Sequence, residues 1–498
     1  MQEIIISDMS NTVERYLAVV DLGSSKIGLA VASVEGQNTQ ILYYRTVPSE
    51  GIRNSAIINP LRAESALRGL IAGAEDELGL KITQVAVSLP RCGVRQEKAQ
   101  AECTRNDPDE CVTSDEIDSL KSLATDDHGL KENEEIYAAV AKCFSTREYF
   151  QVSERDIVGM ISDQITGHFN IFIGKRSNIN ALYRVFNDLH LAIADMYFPP
   201  IATARAVLTD EEMQNGVALI EMGAGTTSVS IYRNRVLVHY AAIPFGGAAV
   251  TSDIRNECSI SDHLAESIKC AYGGCMPERM PSLSEKILQV ESEDINVCNQ
   301  IPVSYLSEII SAREKEIVDA MLYEISESGL ARSLRKGIVL TGGGSEMMNL
   351  STYVRELSGY TVRTGSPRNG FVATGFESIF KPASAAAAGM VLLARDGNLN
   401  CCVAADGLRP IFDRLAEENR PDDTLDEPAV TEFAAGTVLS EENPETPSGE
   451  MAGQTGESAQ NDVEGQGGDA SEGNKKGFFG KIVWKVQEFY DNISKESV

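Results

Sequence analysis

One short pattern occurs twice in this chain and restricts its fold more than any other feature: a buried apolar run, an acidic residue, a turn of small residues, and a second apolar run. The first copy spans 15–33, RYLAVVDLGSSKIGLAVAS, and places Asp21, Gly23, Ser24, Ser25 and Lys26 at the turn. The second spans 217–232, VALIEMGAGTTSVSIY, with Glu221, Gly223, Ala224, Gly225, Thr226 and Thr227 in the same places. Short apolar runs bounded by glycine read as buried strands, so each copy is a strand, a tight turn and a strand. Recurrence at this separation is a repeat on the scale of whole domains. It predicts an α/β body with one such hairpin in each half.

Turns of this composition suit phosphate. Small residues let backbone N–H groups face an anion, and hydroxyls supply further donors. An acidic residue at the mouth suits Mg²⁺, which keeps most of its water shell and needs few protein carboxylates. One turn on each side of a cleft would clamp a triphosphate, with Asp21 and Glu221 as the metal carboxylates. Each turn alone reads equally well as an ordinary glycine hairpin, and the pairing supplies the specificity. A third element, 336–347 (KGIVLTGGGSEM), runs from a strand into Gly342, Gly343 and Gly344 and then into a helical pattern that includes Met347. Three glycines permit close approach to a flat ring or a ribose, and a helix N-terminus favours negative charge. Farther back, Glu266 and Lys269 lie three apart and face one way on a helix. They suit the ribose hydroxyls and the nucleotide, or else form a solvated ion pair.

The chain of 498 residues is long enough for two or three domains. Its net charge of −29 repels the nucleic-acid backbone, so no nucleic acid is expected as a partner. Ten cysteines without CxxC or zinc spacing read as free thiols of a reducing cytoplasm. No secretory leader and no long apolar run is visible, which makes any expected membrane contact peripheral. Between residues 413 and 472 there are 17 acidic residues against two basic ones, a stretch too polar to offset its ordering entropy and read as a disordered linker. Beyond it, 475–498 places Phe478, Phe479, Ile482, Val483, Val486, Phe489, Tyr490 and Ile493 on one helical face, with Lys481 and Lys485 along its edge. Such a helix suits an anionic membrane surface. Trp484 falls outside that face, which leaves docking in a protein groove as the alternative.

The three glycine-rich elements are similar to the first phosphate, second phosphate and adenosine motifs of the actin, hexokinase and Hsp70 superfamily, and 383–394 (ASAAAAGMVLLA) to its second connecting helix. Within it the chain resembles the FtsA family of bacterial cell-division proteins. Three stretches carry this: 243–274 with its Pro-Phe-Gly-Gly, Thr-x-Asp-Ile and Ala-Glu-x-Ile-Lys steps, 111–124 with 136–160, and the C-terminal segment. Thr113 followed by Glu116 in the second of these also reads as a capping box.

The resemblance implies an actin-like two-lobed ATPase fold with an inserted small domain, a disordered acidic linker and a C-terminal amphipathic helix. Its expected order is lobe 1 at 13–88, the small assembly domain at 89–168, more of lobe 1 at 169–205, lobe 2 at 206–367, a return to lobe 1 at 368–400, the linker at 401–474 and the tail. It further implies ATP and Mg as cofactors, self-assembly into filaments, and a tether for FtsZ, whose C-terminal tail would bind within 251–335, at the cytoplasmic face of the membrane with other division proteins. Glu221 stands where the superfamily commonly has Asp. Magnesium demands near-ideal geometry, so ATP binding is expected to survive the extra methylene better than hydrolysis, leaving at most a slow ATPase. An actin-like pilus-assembly protein and a sugar-kinase-type phosphotransferase stay open as alternatives.

Overall fold

The computed structural model describes residues 15–404 apart from 37, 127, 292–297 and 369. All of these lie within one unit of the chain, Met1–Pro421, and the other unit, Asp422–Val498, lies outside the described residues. So do the expected linker beyond residue 404 and the tail residues Phe478, Phe479, Lys481, Ile482, Val483, Lys485, Val486, Phe489 and Tyr490.

Both copies of the repeated pattern are hairpins. Asp21 pairs with Gly28 and Leu22 with Ile27 across the first turn, and Glu221 with Ser228 and Met222 with Thr227 across the second. Each hairpin lies inside a five-stranded sheet. In lobe 1 the order is Asn38–Pro48, Lys26–Glu35, Arg15–Leu22, Gln84–Ser88, Ala192–Tyr197. In lobe 2 it is Val236–Ile243, Thr227–Arg233, Val217–Met222, Ile338–Thr341, Val362–Thr364. In both sheets the first three strands are antiparallel and the last two run parallel to the first strand of the hairpin. The repeat in sequence is therefore a repeat of topology. Leu17, Ala18, Val19 and Val20 are all buried, as in a strand covered on both faces.

Two helices, Pro199–Val207 and Ala385–Asp396, cross in direct contact. A Cβ on Gly389 would lie 1.8 Å from the carbonyl oxygen of Ala202, so the backbones meet with no side chain between them. The alanines at 385–388 are all buried around this crossing. The helix expected from 383 begins at Ala385, after a 3₁₀ turn at Pro382–Ser384.

The small domain is a three-stranded antiparallel sheet with Gln164–Lys175 between Arg95–Thr104 and Glu134–Ser145, and the helix Ser114–Asp126 packed on it. The capping box is present: Thr113 N donates to Glu116 Oε2 at 2.8 Å and Glu116 N to Thr113 Oγ1 at 3.3 Å. The central strand serves two cores. Ile165 and Phe169 pack with Ile117 and Leu120 of the small domain, whereas Phe172 joins the core of lobe 1. The strand is thus continuous across residue 168, the expected boundary. On its way past lobe 2 the small domain meets the edge strand Val236–Ile243. Gln96 accepts from Tyr240 N at 3.1 Å and donates to Val238 O at 3.0 Å, and Asn170 donates to Leu237 O at 3.0 Å.

The folded body also continues past residue 400. Cys402–Ala404 pairs with Leu80–Ile82, and Cys401 N donates to Tyr16 O at 2.6 Å. Among the described residues no helix is long and apolar enough to cross a membrane.

Candidate functional site

The two turns close with the same bond, Gly23 N to Lys26 O at 3.0 Å and Gly223 N to Thr226 O at 2.8 Å. Their surroundings differ. Around the first, Ser49 Oγ donates to Gly23 O at 2.8 Å, Ser49 N to Ser25 O at 2.9 Å, and Ser55 N to Ser24 Oγ at 3.0 Å. Around the second, Gly247 N and Ala248 N, at the start of the helix Gly247–Cys258, donate to Gly223 O at 2.9 Å and Ala224 O at 2.8 Å. Ser25 is exposed, whereas Thr226 and Thr227 are buried. Thr227 Oγ1 donates to Phe245 O at 2.9 Å, and Thr226 Oγ1 lies 3.5 Å from Ser55 Oγ. Both hydroxyls therefore face protein: that of Thr227, the first residue of its strand, turns into its own lobe, and that of Thr226 meets Ser55 of the other lobe. The turns themselves touch. A Cβ on Gly225 would lie 2.6 Å from Ser24 Oγ and 3.2 Å from Asn54 Oδ1, which only glycine permits.

Asp21 and Glu221 end their strands on either side of Arg91. Arg91 Nη2 lies 2.8 Å from Glu221 Oε1 and 3.9 Å from Asp21 Oδ1, and Thr203 Oγ1 donates to Glu221 Oε2 at 2.9 Å. Burial opposes the charge on Arg91, but Glu221 and Asp21 override it and hold the guanidinium protonated above its ordinary value. Asp21 Oδ1 is buried and accepts no hydrogen bond. Mg²⁺ was the ion expected at these two carboxylates. Both oxygens of Glu221 are engaged, one by Arg91 and one by Thr203. Glu221 suits a metal ion poorly, because the buried Arg91 guanidinium already neutralises it and would repel a second cation; Asp21 is the acid whose Oδ1 accepts no hydrogen bond.

Beside them stands Lys26, half-buried. Burial lowers its pKa, with Asp21 and Glu346 attracting its proton and Lys381 repelling it. The third glycine element packs on the second turn. Gly342 has φ of +83°, and a Cβ there would lie 2.5 Å from Met222 O; one on Gly344 would lie 2.9 Å from Met222 Cβ. Gly343 differs, since the nearest atom to its Cβ would be Ala383 Cβ at an ordinary 3.6 Å. The helix expected to follow is a single 3₁₀ turn, Gly343–Glu346, closed by Ser345 Oγ donating to Gly342 O at 2.7 Å. Met347 ends this turn, its N–H donating to Gly344 O at 3.2 Å, and the α-helix begins only at Leu350. The left-handed Asn349 intervenes with φ of 62°.

Glu266 and Lys269 do share a face, but the ammonium is spent inside the lobe. Lys269 Nζ donates to Gly247 O at 3.0 Å, Thr251 Oγ1 at 2.8 Å and Glu266 Oε2 at 2.6 Å, which uses all three of its protons. In this structure Lys269 has a positioning role: it fixes the carbonyl of the residue whose N–H holds Gly223. Glu266 is half-exposed, and its Oε1 meets only Cys270 Sγ at 3.4 Å. Burial raises its pKa, yet bonds from Lys269 and Thr251 outweigh this and leave it below the ordinary value. All the glycine-rich elements and this helix pair thus converge on the two turns. Arg91, Thr203, Ser49 and Ser55 were missed in the sequence. Arg91 lies just past the strand Gln84–Ser88, and only that strand's pairing beside Arg15–Leu22 reveals its role.

The family described as Cell division protein FtsA matches residues 218–389. The cell division protein FtsA of Neisseria meningitidis serogroup B is 28% identical over 359 residues, covering 71% of this chain and 84% of that protein. The cell division protein FtsA of Rhizobium meliloti is 27% identical over 410 residues, covering 79% and 90%. Among solved structures, the PilM-PilN type IV pilus biogenesis complex aligns with a TM-score of 0.51 at 14% identity, over 76% of this chain and 97% of that one. At that identity the likeness speaks for the fold alone, which is actin-like.

Proposed function

Because the chain is a relative of the FtsA cell division proteins, we propose that it binds ATP between its two lobes and works in division as an assembling tether. In this reading the turns Gly23 to Lys26 and Gly223 to Gly225 receive the phosphates on the N–H groups that remain, since those of Gly23 and Gly223 close the turns. Gly342, Gly343 and Gly344 back the adenosine, and Glu266 takes the ribose. Nucleotide-bound subunits assemble head to tail with the help of the small domain. The region 251–335 captures the C-terminal tail of FtsZ, later division proteins join, and the helix within 475–498 holds the whole to anionic lipid at the cytoplasmic face of the membrane. Mg²⁺ has a fitting carboxylate only at Asp21, and no chemical step is assigned to it.

The observation that carries the nucleotide part is the contact between two topologically equivalent hairpin turns, one from each lobe, with Gly343 facing room that the protein does not fill. Gly343→Asp tests it. A Cβ at 343 meets no clash, so the variant is expected to fold while its carboxylate and bulk oppose the nucleotide. Calorimetry should show ATP affinity falling by about a hundredfold or more, a loss near 2.7 kcal/mol. Unchanged affinity in the folded variant removes this turn from the site.

A further inference from the structure

Arg91 occupies the place where a divalent ion was expected beside Glu221, and this mismatch carries an inference that rests on the nucleotide reading above. Arg91 follows the lobe 1 strand Gln84–Ser88, and its side chain is 8% exposed. Glu221 belongs to lobe 2, yet both of its oxygens are held by lobe 1, one by Arg91 and one by Thr203 of the helix Pro199–Val207. Lobe 2 grips Arg91 in return, since Tyr240 Oη donates to the Arg91 carbonyl at 2.7 Å. The contact is therefore part of how the lobes are joined, and not a side chain resting in solvent.

Its electrostatic consequence concerns phosphate. Two carboxylates at the mouths of phosphate-binding turns repel a triphosphate unless a cation compensates them, and a bound metal ion ordinarily supplies that charge. Here the compensation is covalently part of the chain. A guanidinium does not deprotonate in proteins and does not dissociate on chelation. Lys26 and Lys381 add positive charge on the first-turn side, where Glu346 is the further acid.

We propose that Arg91 is a built-in cation that replaces a divalent ion at Glu221, so that this chain binds a nucleoside triphosphate without a divalent metal. Arg91 is a positioning residue in this account. It holds Glu221 and compensates Asp21, and no contact to the ligand is required of it.

The test is ATP titration of the full chain by calorimetry, in excess EDTA and in excess magnesium. The two dissociation constants should agree within about threefold. In Arg91→Met, binding in EDTA should weaken by about tenfold or more, with magnesium recovering part of the loss, whereas Arg91→Lys should keep most of the metal-independent affinity. A purely structural role for Arg91 would lower affinity equally in both buffers, and that result overturns the proposal. So does a wild-type chain that binds ATP only with magnesium, an outcome that leaves the nucleotide site itself standing. Absence of binding in both buffers removes the nucleotide reading and this inference together. If Arg91→Met does not fold, the wild-type comparison and Arg91→Lys decide the matter.

Discussion

The first and second glycine turns have the same backbone bond and matching positions in equivalent sheets, but they are fastened by different means. Side-chain hydroxyls of Ser49 and Ser24 help to hold the first, beside the bond from Ser49 N to Ser25 O, and leave Ser25 exposed and Asp21 with an oxygen that accepts no hydrogen bond. Main-chain N–H groups of Gly247 and Ala248 hold the second, with Thr226 and Thr227 buried and Glu221 bound on both oxygens. A repeat in sequence therefore preserved a backbone shape without preserving the division of labour. The second turn is engaged from both lobes, by Gly247 and Ala248 of its own and by Arg91, Thr203 and Ser55 of the other, and the first keeps the groups that have something left to offer a ligand.

The sharpest way to break this contrast is to remove each acid in turn. Glu221→Ala strips a buried guanidinium of its hydrogen-bonded partner and should cost about 3–5 kcal/mol. Asp21→Asn loses no hydrogen bond at Oδ1 and should cost under about 1 kcal/mol. Urea denaturation of both variants reads the difference, and equal costs would mean that the two turns are fastened alike. A smaller effect lies behind the second turn, on the helix Val303–Glu327 that packs against Gly247–Cys258. There burial pushes the carboxyl of Glu314 up to about 7 from an ordinary 4.5, against the pull of Lys269. The folded state then keeps a proton that the unfolded state loses first, so this group's contribution falls as pH rises from 4.5 to about 7 and is constant above. Glu314→Gln should be more stable than wild type by up to about 3 kcal/mol at pH 8, with the gap closing below about pH 4.5. Midpoints measured across that range should converge at acid pH, and a gap independent of pH would show that ionisation is not its source. A comparably small effect belongs to the loop that holds the first turn. Ser49→Ala removes one hydroxyl bond to Gly23 O and should cost about 1 kcal/mol in the same denaturation assay. No loss at all would mean that the bond from Ser49 N to Ser25 O holds the loop alone.

What was legible in the sequence was whatever local pattern encodes. The hairpins, the glycine element, the capping box at Thr113 and Glu116, and the alanine-rich helix near 385–396 all follow from apolar runs and small residues read in order. Partners brought together by strand order were not. Arg91 reaches Glu221 across 130 residues, and Thr203 reaches it from a separate helix. Glu221 therefore read as a metal ligand when its two neighbours were out of view. Lys269 likewise showed only part of its surroundings. Its spacing to Glu266 was correct, but the Gly247 carbonyl that consumes its third proton comes from another helix. The boundary at 168 failed because a strand was taken to belong to one core, whereas Phe169 and Phe172 of the same strand face two.

The amide clasp of Gln96 and Asn170 on Val236–Ile243 bears on how such molecules associate. A sheet's outermost strand is an open template on which any extended segment, from the same kind of molecule or another, can add itself as one more strand. The clasp occupies the hydrogen-bonding groups of Val238, Leu237 and Tyr240 with side chains that end there and cannot propagate. Where the small domain covers it, that margin of lobe 2 is closed to growth by strand addition. Strand addition along that stretch would first require the clasp to open, so a partner that meets lobe 2 there meets side chains and not a free backbone ladder.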